Sequence, residues 1–195
     1  MSEIKVDKIS PQSGVALEVG DSGDTITCSG TPVGFGGGKV LQVVSTTLTG
    51  DTSTTSLTFV DVSGLSVSIT PSSTSSKILV FGHACMSCTT SSRFGGWHIR
   101  LMRDSTIMSV GTTSAATQLD SAGGGLRYDP HHSAQSESFH ELDSPSSTSS
   151  LTYKLQYART NYSAITVYVN RMGDIVTTDY DGNGVSTITA MEIGA

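Results

Sequence analysis

The sequence predicts an all-β chain: a short N-terminal arm over residues 1–38, then an antiparallel β-sandwich of jelly-roll type over residues 39–195. Three observations carry this. Only 14% of residues are charged, against roughly 25% in an average soluble protein. The polar residues are instead dominated by Ser and Thr, which suit strands and turns and are mediocre in helix interiors. Beyond residue 39, apolar and polar residues alternate in run after run, and no segment repeats apolar residues at i, i+3, i+4 and i+7 over three turns. The 21 glycines fit many tight turns between those runs.

A chain of 195 residues suits one compact domain with some chain left for an appendage. No apolar run approaches the roughly 20 residues of a membrane-spanning helix. The opening MSEIKVDKIS lacks the apolar core of a secretory signal. The expectation is a chain made in a cytoplasm, without membrane insertion. A formal net charge of −6 with no Lys/Arg-rich run argues against nucleic acid, where clustered cations supply most of the affinity. Three cysteines, Cys28, Cys85 and Cys88, cannot complete a disulfide framework and are read as free, mostly packed thiols.

In the arm, apolar residues come in brief alternating sets: Ile4, Val6 and Ile9; Val15, Leu17 and Val19; Ile26 and Cys28. Strands this short, each with one narrow apolar face, are marginal alone in water. An intertwined homotrimer would bury those faces around a common axis; the same low hydrophobicity also fits a disordered tail. Residues 31–38, TPVGFGGG, combine Pro with a glycine cluster and read as a hinge, which sets the domain boundary.

From Lys39 onward the pattern predicts strands over 40–48, 57–62, 65–69, 78–85, 97–103, 107–110, 138–142, 151–157, 165–170 and 185–193. Alternation is clean at Leu57 and Phe59, at Leu65, Val67 and Ile69, and at Trp97, Ile99 and Leu101. It is equally clean at Tyr153, Leu155 and Tyr157, at Ile165, Val167 and Val169, and at Ile188 and Ala190. Each set implies one buried and one wet face. Without crossover helices a parallel sheet is excluded, and the strands form an antiparallel sandwich.

The arm MSEIKVDKISPQSG resembles the opening of tail-fibre and virion structural proteins of marine phages, particularly those infecting cyanobacteria. The phrases SLTFVDVSGLSVSITPSSTSSKILV (56–80), IRLMRDST (99–106), LDSPSSTSSLTYKLQYA (142–158) and VSTITAMEIGA (185–195) resemble a recurrent C-terminal phage module. That module is similar in layout to the tumour-necrosis-factor-like jelly rolls. The resemblance implies a trimeric knob on a fibre, with other virion proteins as partners through the arm. It departs from a long tail fibre in having no large attachment domain ahead of the arm.

Several residue groups invite a chemical reading. Asp179, Asp181 and Asn183 have the spacing that opens a calcium loop, but Ala190 stands where the twelfth-position acid belongs, and a Gly- and Asn-rich turn explains them equally. Cys85 and Cys88 form a CxxC without a second pair, and on a strand the odd spacing sends the thiols to opposite faces. The expectation is no cofactor and no essential metal. His83, His98, His131, His132 and His140 lie beside no nucleophile motif and read as polar surface or interface groups. Residues 120–136, DSAGGGLRYDPHHSAQS, read as a long irregular loop. Arg127, Tyr128, His131 and His132 there have the mix of a recognition loop, or of a solvated connection. Arg93 and Phe94, in the loop 89–96, suit sugar faces or protein hot spots. Trp97 alternates with core residues and reads as core.

These readings leave two structural roles open: a tail fibre or spike whose knob binds a host cell-surface glycan or protein, and a head-decoration protein fixed to a capsid by its arm. An enzyme is disfavoured, since the acidic residues fall mostly in turns rather than as the paired groove carboxylates that polysaccharide cleavage requires.

Overall fold

The strand pattern produces two antiparallel sheets in a computed structural model that describes residues 39–89, 95–108, 110–111, 121–127, 134–161, 164–173 and 182–194. The chain divides into two units, Met1–Gly37 and Gly38–Ala195, and every described residue lies in the second. In chain order the strands are β1 (Val40–Leu48), β2 (Thr52–Thr54), β3 (Val60–Ile69), β4 (Lys77–Cys88), β5 (Gly95–Arg103) and β6 (Thr106–Ile107). They continue with β7 (Gly123–Arg127), β8 (Gln135–Asp143), β9 (Leu151–Arg159), β10 (Val167–Val169) and β11 (Ser186–Ile193). The described residues contain no helix.

The first sheet runs β1-β11-β4, with β8 on the far edge of β4 and β10-β2 continuing the β11-β1 pair in line. The second runs β3-β9-β5, with β6 and β7 sharing the outer edge of β5. This order of four lanes facing four lanes is a jelly roll. Between them lie Leu65, Ile78, Val80, Trp97, Tyr153, Leu155 and Ile188, none with more than a trace of exposed surface. Each such side chain contributes about 1.5–3 kcal/mol of burial. The indole N–H of Trp97 crosses the sandwich to donate to Glu137 Oε1 at 3.2 Å.

Buried polar clusters brace the end of the sandwich where β1 begins and β11 finishes. Arg103 donates through Nη1 to both carboxylate oxygens of Asp143 at 2.7 Å, and Tyr153 donates its OH to Asp143 Oδ2 at 2.6 Å. This ties β5 and β9 of one sheet to β8 of the other. Burial and the Asp143 carboxylate together push the Tyr153 phenol far above its ordinary range. Glu192, fully buried, accepts from Ser72 N at 2.7 Å, Ser72 Oγ at 2.6 Å and Gln42 Nε2 at 2.6 Å. Burial alone would raise its carboxyl; the hydrogen bonds from Ser72 and Gln42 outweigh that and hold it down at about 2.

Five expectations need correction. The separate strands over 57–62 and 65–69 are one strand, β3, with residues 62–65 bulging opposite Leu155. Gly64, at φ +82°, supplies the bulge that reads from sequence as a break. Leu57 is 41% exposed and Phe59 is half-buried, its ring lying 4.2 Å beneath the Arg100 guanidinium. Local bonds of the Ser56 and Thr58 hydroxyls take the place of a ladder there. The polar β2 was not anticipated, and the strand over 107–110 is reduced to Thr106–Ile107. Finally, residues 120–136 are not irregular throughout: they contain β7 and the start of β8.

Candidate functional site

Chain direction gives the sandwich two unlike ends. Gly194 N donates to Lys39 O at 2.8 Å and Ile193 pairs with Lys77, so the β1 start and the β11 finish share one end. β4 then runs twelve residues, about 40 Å at strand rise, to Cys88. There it pairs with Val167, and a Cβ on Gly95 would lie 2.8 Å from its Sγ. The β4–β5 and β7–β8 connections and the return between β10 and β11 therefore open at the end opposite Lys39.

The two segments that sequence nominated separately, 89–96 and 120–136, meet at that end. β5 and β7 pair through Gly95↔Arg127, Gly96↔Leu126, Trp97↔Gly125 and His98↔Gly124. Glycine is required in this ladder because a Cβ on Gly124 would stand 2.4 Å from the Trp97 carbonyl oxygen, and one on Gly125 would stand 2.6 Å from the Trp97 ring. Arg127 contributes its main chain to the ladder; its side chain lies outside the described part of the structure. Arg93, Phe94, Tyr128, His131 and His132 lie outside the described residues, as do Ile4, Val6 and Ile9 of the arm. So do Asp179 and Asp181, whereas Asn183 is exposed on the approach to β11.

A switch point lies beside this end. Asn170 ends β10 at φ +63°, a left-handed conformation that Asn tolerates better than most residues. Its Nδ2 donates to Leu48 O at 2.7 Å and Gly50 O at 3.0 Å. Its Oδ1 accepts from Ser186 Oγ at 2.6 Å, and Ser186 Oγ accepts from Cys85 N at 3.0 Å. One buried amide thus joins β10, β11, β4 and the β1–β2 connection. Cys85 is half-buried and Cys88 buried, and burial pushes the Cys85 thiol up.

At the β5–β7 edge lies a depression of about 370 Å³ lined by His98, Ser121, Ala122, Gly123, Gly124 and Thr160, with Trp97 and Gly125 beneath. Burial pulls the His98 imidazole below its ordinary pKa. Thr160 anchors through its N–H to Gly96 O at 3.0 Å, while its Oγ1 is shielded from solvent without a hydrogen-bond partner. Sequence reasoning missed Thr160; the only signal was the glycine triplet at 123–125. Trp97 is core, as its alternation implied.

The outward face of the first sheet is not the wet face expected of alternation. Val43, Met191, Leu79 and Leu142 form one cross-strand row, with Ser45, Thr189, Phe81 and His140 in the next. Val43 and Leu142 are each 51% exposed and Phe81 36%. His83 sits on the same face, held by Val185 O at 3.0 Å and Thr187 Oγ1 at 3.2 Å. No group of three or more His, Cys, Asp or Glu among the described residues is placed to hold a metal ion.

No protein-family model and no curated protein matches the chain. Among solved structures it is similar to the VP2 subviral particle of infectious bursal disease virus, at 11% identity and a TM-score of 0.33, over 79% of this chain and 41% of that one. It is similar also to a structure of the Gx strain of that virus, at 12% identity and a TM-score of 0.29, over 80% of this chain and 38% of that one. The chain spans about two fifths of the length of either.

Proposed function

We propose that the chain is a non-enzymatic structural subunit of a bacteriophage particle, the homotrimeric knob of a tail fibre or spike. In this reading residues 1–38 attach it to other virion proteins, and the loops at the opposite end of the sandwich meet a host-surface glycan or protein. The observation that carries the reading is the polarity of the jelly roll: Lys39, where the arm continues into β1, is about 40 Å from the end where the loops holding Arg93, Phe94, Tyr128, His131 and His132 depart. A subunit that must be fixed at one side and present loops at the other needs this arrangement.

Self-association is supported by the row Val43, Met191, Leu79 and Leu142. An apolar patch across four strands, left open in a single chain, is the kind of surface that another copy covers. Three copies would multiply weak individual loop contacts into avidity. Host-adsorption measurements on particles carrying Arg93→Ala, Arg127→Ala and Tyr128→Ala test the reading. Impaired adsorption with unchanged incorporation supports host contact. Unchanged adsorption favours the alternative, a head-decoration subunit held by the same arm.

A further inference from the structure

The two outward faces of the sandwich differ in kind. On the second sheet, Lys154 Nζ and Gln156 Nε2 both donate to the Asp61 carboxylate, at 2.7 and 2.6 Å, and Arg100 Nε donates to Gln156 Oε1 at 2.8 Å. That network is satisfied by its own members. On the first sheet the apolar row gives way, one step toward the loops, to the row ending in Phe81 and His140, and a step further to Thr47, Thr187, His83 and Ser138. To this face β1 and β11 contribute only apolar and hydroxyl side chains. β8 adds His140 as its one titratable group, and β4 adds His83, the half-buried Cys85 thiol and, at the corner beside Ile193, Lys77. At the other end Arg171 stacks on Tyr168 at 4.5 Å. Among the described residues the face holds no carboxylate, and the charges at its ends are positive.

Such a face is complementary to itself. Hydroxyls and neutral imidazoles both donate and accept, so a copy of the same surface can answer them, and its uncharged middle sets no like charges against each other. In plan it spans four lanes and five rows, about 19 Å by 30 Å or roughly 570 Å², close to the roughly 600 Å² a side at which specific protein contacts begin. Two imidazoles stand together in it: His83 lies diagonally across β4 and β8 from the exposed His140, roughly 7–8 Å away. Val185 O can only accept, so His83 Nε2 carries the hydrogen of their 3.0 Å bond. Nδ1 of the neutral ring then accepts from the Thr187 hydroxyl at 3.2 Å. A proton added at Nδ1 reverses that second bond and turns the Thr187 hydrogen away from the ring.

We propose that a second copy of this chain covers this face near neutral pH, and that protonation of His83 and His140 drives the copies apart. The inference rests on the self-association reading above and names what controls that contact. Imidazole is the side chain whose charge changes within about pH 5–8. Protonated, each copy gains two positive charges that no described carboxylate on the face matches, and a cation buried without a partner is costly. Separated chains therefore bind these protons more readily than assembled ones, and by linkage a falling pH favours separation.

The test is sedimentation equilibrium of the full-length protein at about pH 7.5 and about pH 5.5, the two sides of imidazole titration, with circular dichroism at each. Assembly is expected at the higher pH, and the concentration for half-assembly should rise at least tenfold at the lower one, with the circular dichroism unchanged. In His83→Gln/His140→Gln, whose side chains still donate and accept but take up no proton, the rise should fall below about twofold. His98→Gln, on the second sheet, should keep the full rise. If the double variant fails to reach the wild-type melting temperature, His140→Gln at its exposed position decides, with a rise at least threefold smaller than the parent's. An equal half-assembly concentration at both pH values, or an undiminished rise in the folded variant, overturns the pH control and leaves self-association standing. So does separation that comes only with loss of circular dichroism. A parent that is monomeric at both pH values overturns the self-association reading itself, and this proposal with it.

Discussion

Ser186 donates its hydroxyl hydrogen to Asn170 Oδ1 at 2.6 Å, and Ser186 Oγ in turn accepts from Cys85 N at 3.0 Å. The pair replaces a ladder bond where the lane shared by β10 and β11 is broken. Asn170→Ala would strand the Leu48 and Gly50 carbonyls and force Ala into a left-handed conformation. A loss of about 3 kcal/mol or more is expected in urea unfolding. Ser186→Ala should cost about 1–2 kcal/mol. The double variant should lose less than the sum, because the two residues share a bond. Asn170→Gly should recover part of the loss by relieving the backbone alone.

Glu192 predicts a specific acid response. Its folded-state carboxyl is held down at about 2, below its unfolded value. It therefore adds stability at neutral pH, and that contribution is lost as pH falls from the ordinary glutamate range through about 2. Melting temperature should decline across this window. In Glu192→Gln the decline should be shallower and the neutral-pH melting temperature lower. Parallel curves for the two proteins would show that the buried carboxylate does not govern the acid limb.

The Arg103–Asp143–Tyr153 group should behave as one unit. Asp143→Ala leaves a guanidinium and a buried phenol without their acceptor, with an expected loss of about 3 kcal/mol. Tyr153→Phe keeps the ion pair and removes one bond, for about 1–2 kcal/mol. A double-mutant cycle between Asp143→Ala and Tyr153→Phe should give a coupling above about 0.5 kcal/mol.

Phe81→Glu and Leu142→Glu place charge on the outward face, one beside the apolar row and one within it, without touching the core. Light scattering should find a trimer for the parent and a smaller species for the pair of substitutions, with unchanged circular dichroism. A parent that remains monomeric at micromolar concentration contradicts the trimer.

Residues 39–195 should fold without the arm, since both sheets and the described core arise beyond residue 38. The truncated chain should keep its circular dichroism and lose incorporation into particles. An insoluble product would move the boundary.

The strands legible from sequence were those whose period-2 pattern places one face in the core, such as Tyr153, Leu155 and Tyr157 in β9 or Ile99 and Leu101 in β5. The strands that escaped have no such pattern. β7 begins with three glycines because it must lie against Trp97, and β2 is Thr-Ser-Thr on a short lane. Gly64 looked like an end because a bulge and a turn draw on the same residue. The apolar outer row of Val43, Met191, Leu79 and Leu142 was hidden by the assumption that one face of every strand is wet. Of the candidate site, the sequence offered its two segments but not their pairing, and nothing local marks Thr160, whose hydroxyl is left without a hydrogen-bond partner only by the fold. Asn170 likewise reads as a strand terminus, and only the fold shows what its amide joins.

The excursion between Asn170 and Gly184 starts and finishes at one point, since Gly184 N donates to Asn170 O at 3.1 Å. Its stem is closed by the sheet, so the length between costs only loop entropy, about 0.6 kcal/mol for each doubling. The position is a natural graft point. A foreign epitope spliced between residues 174 and 181 would leave both sheets' registers as they are.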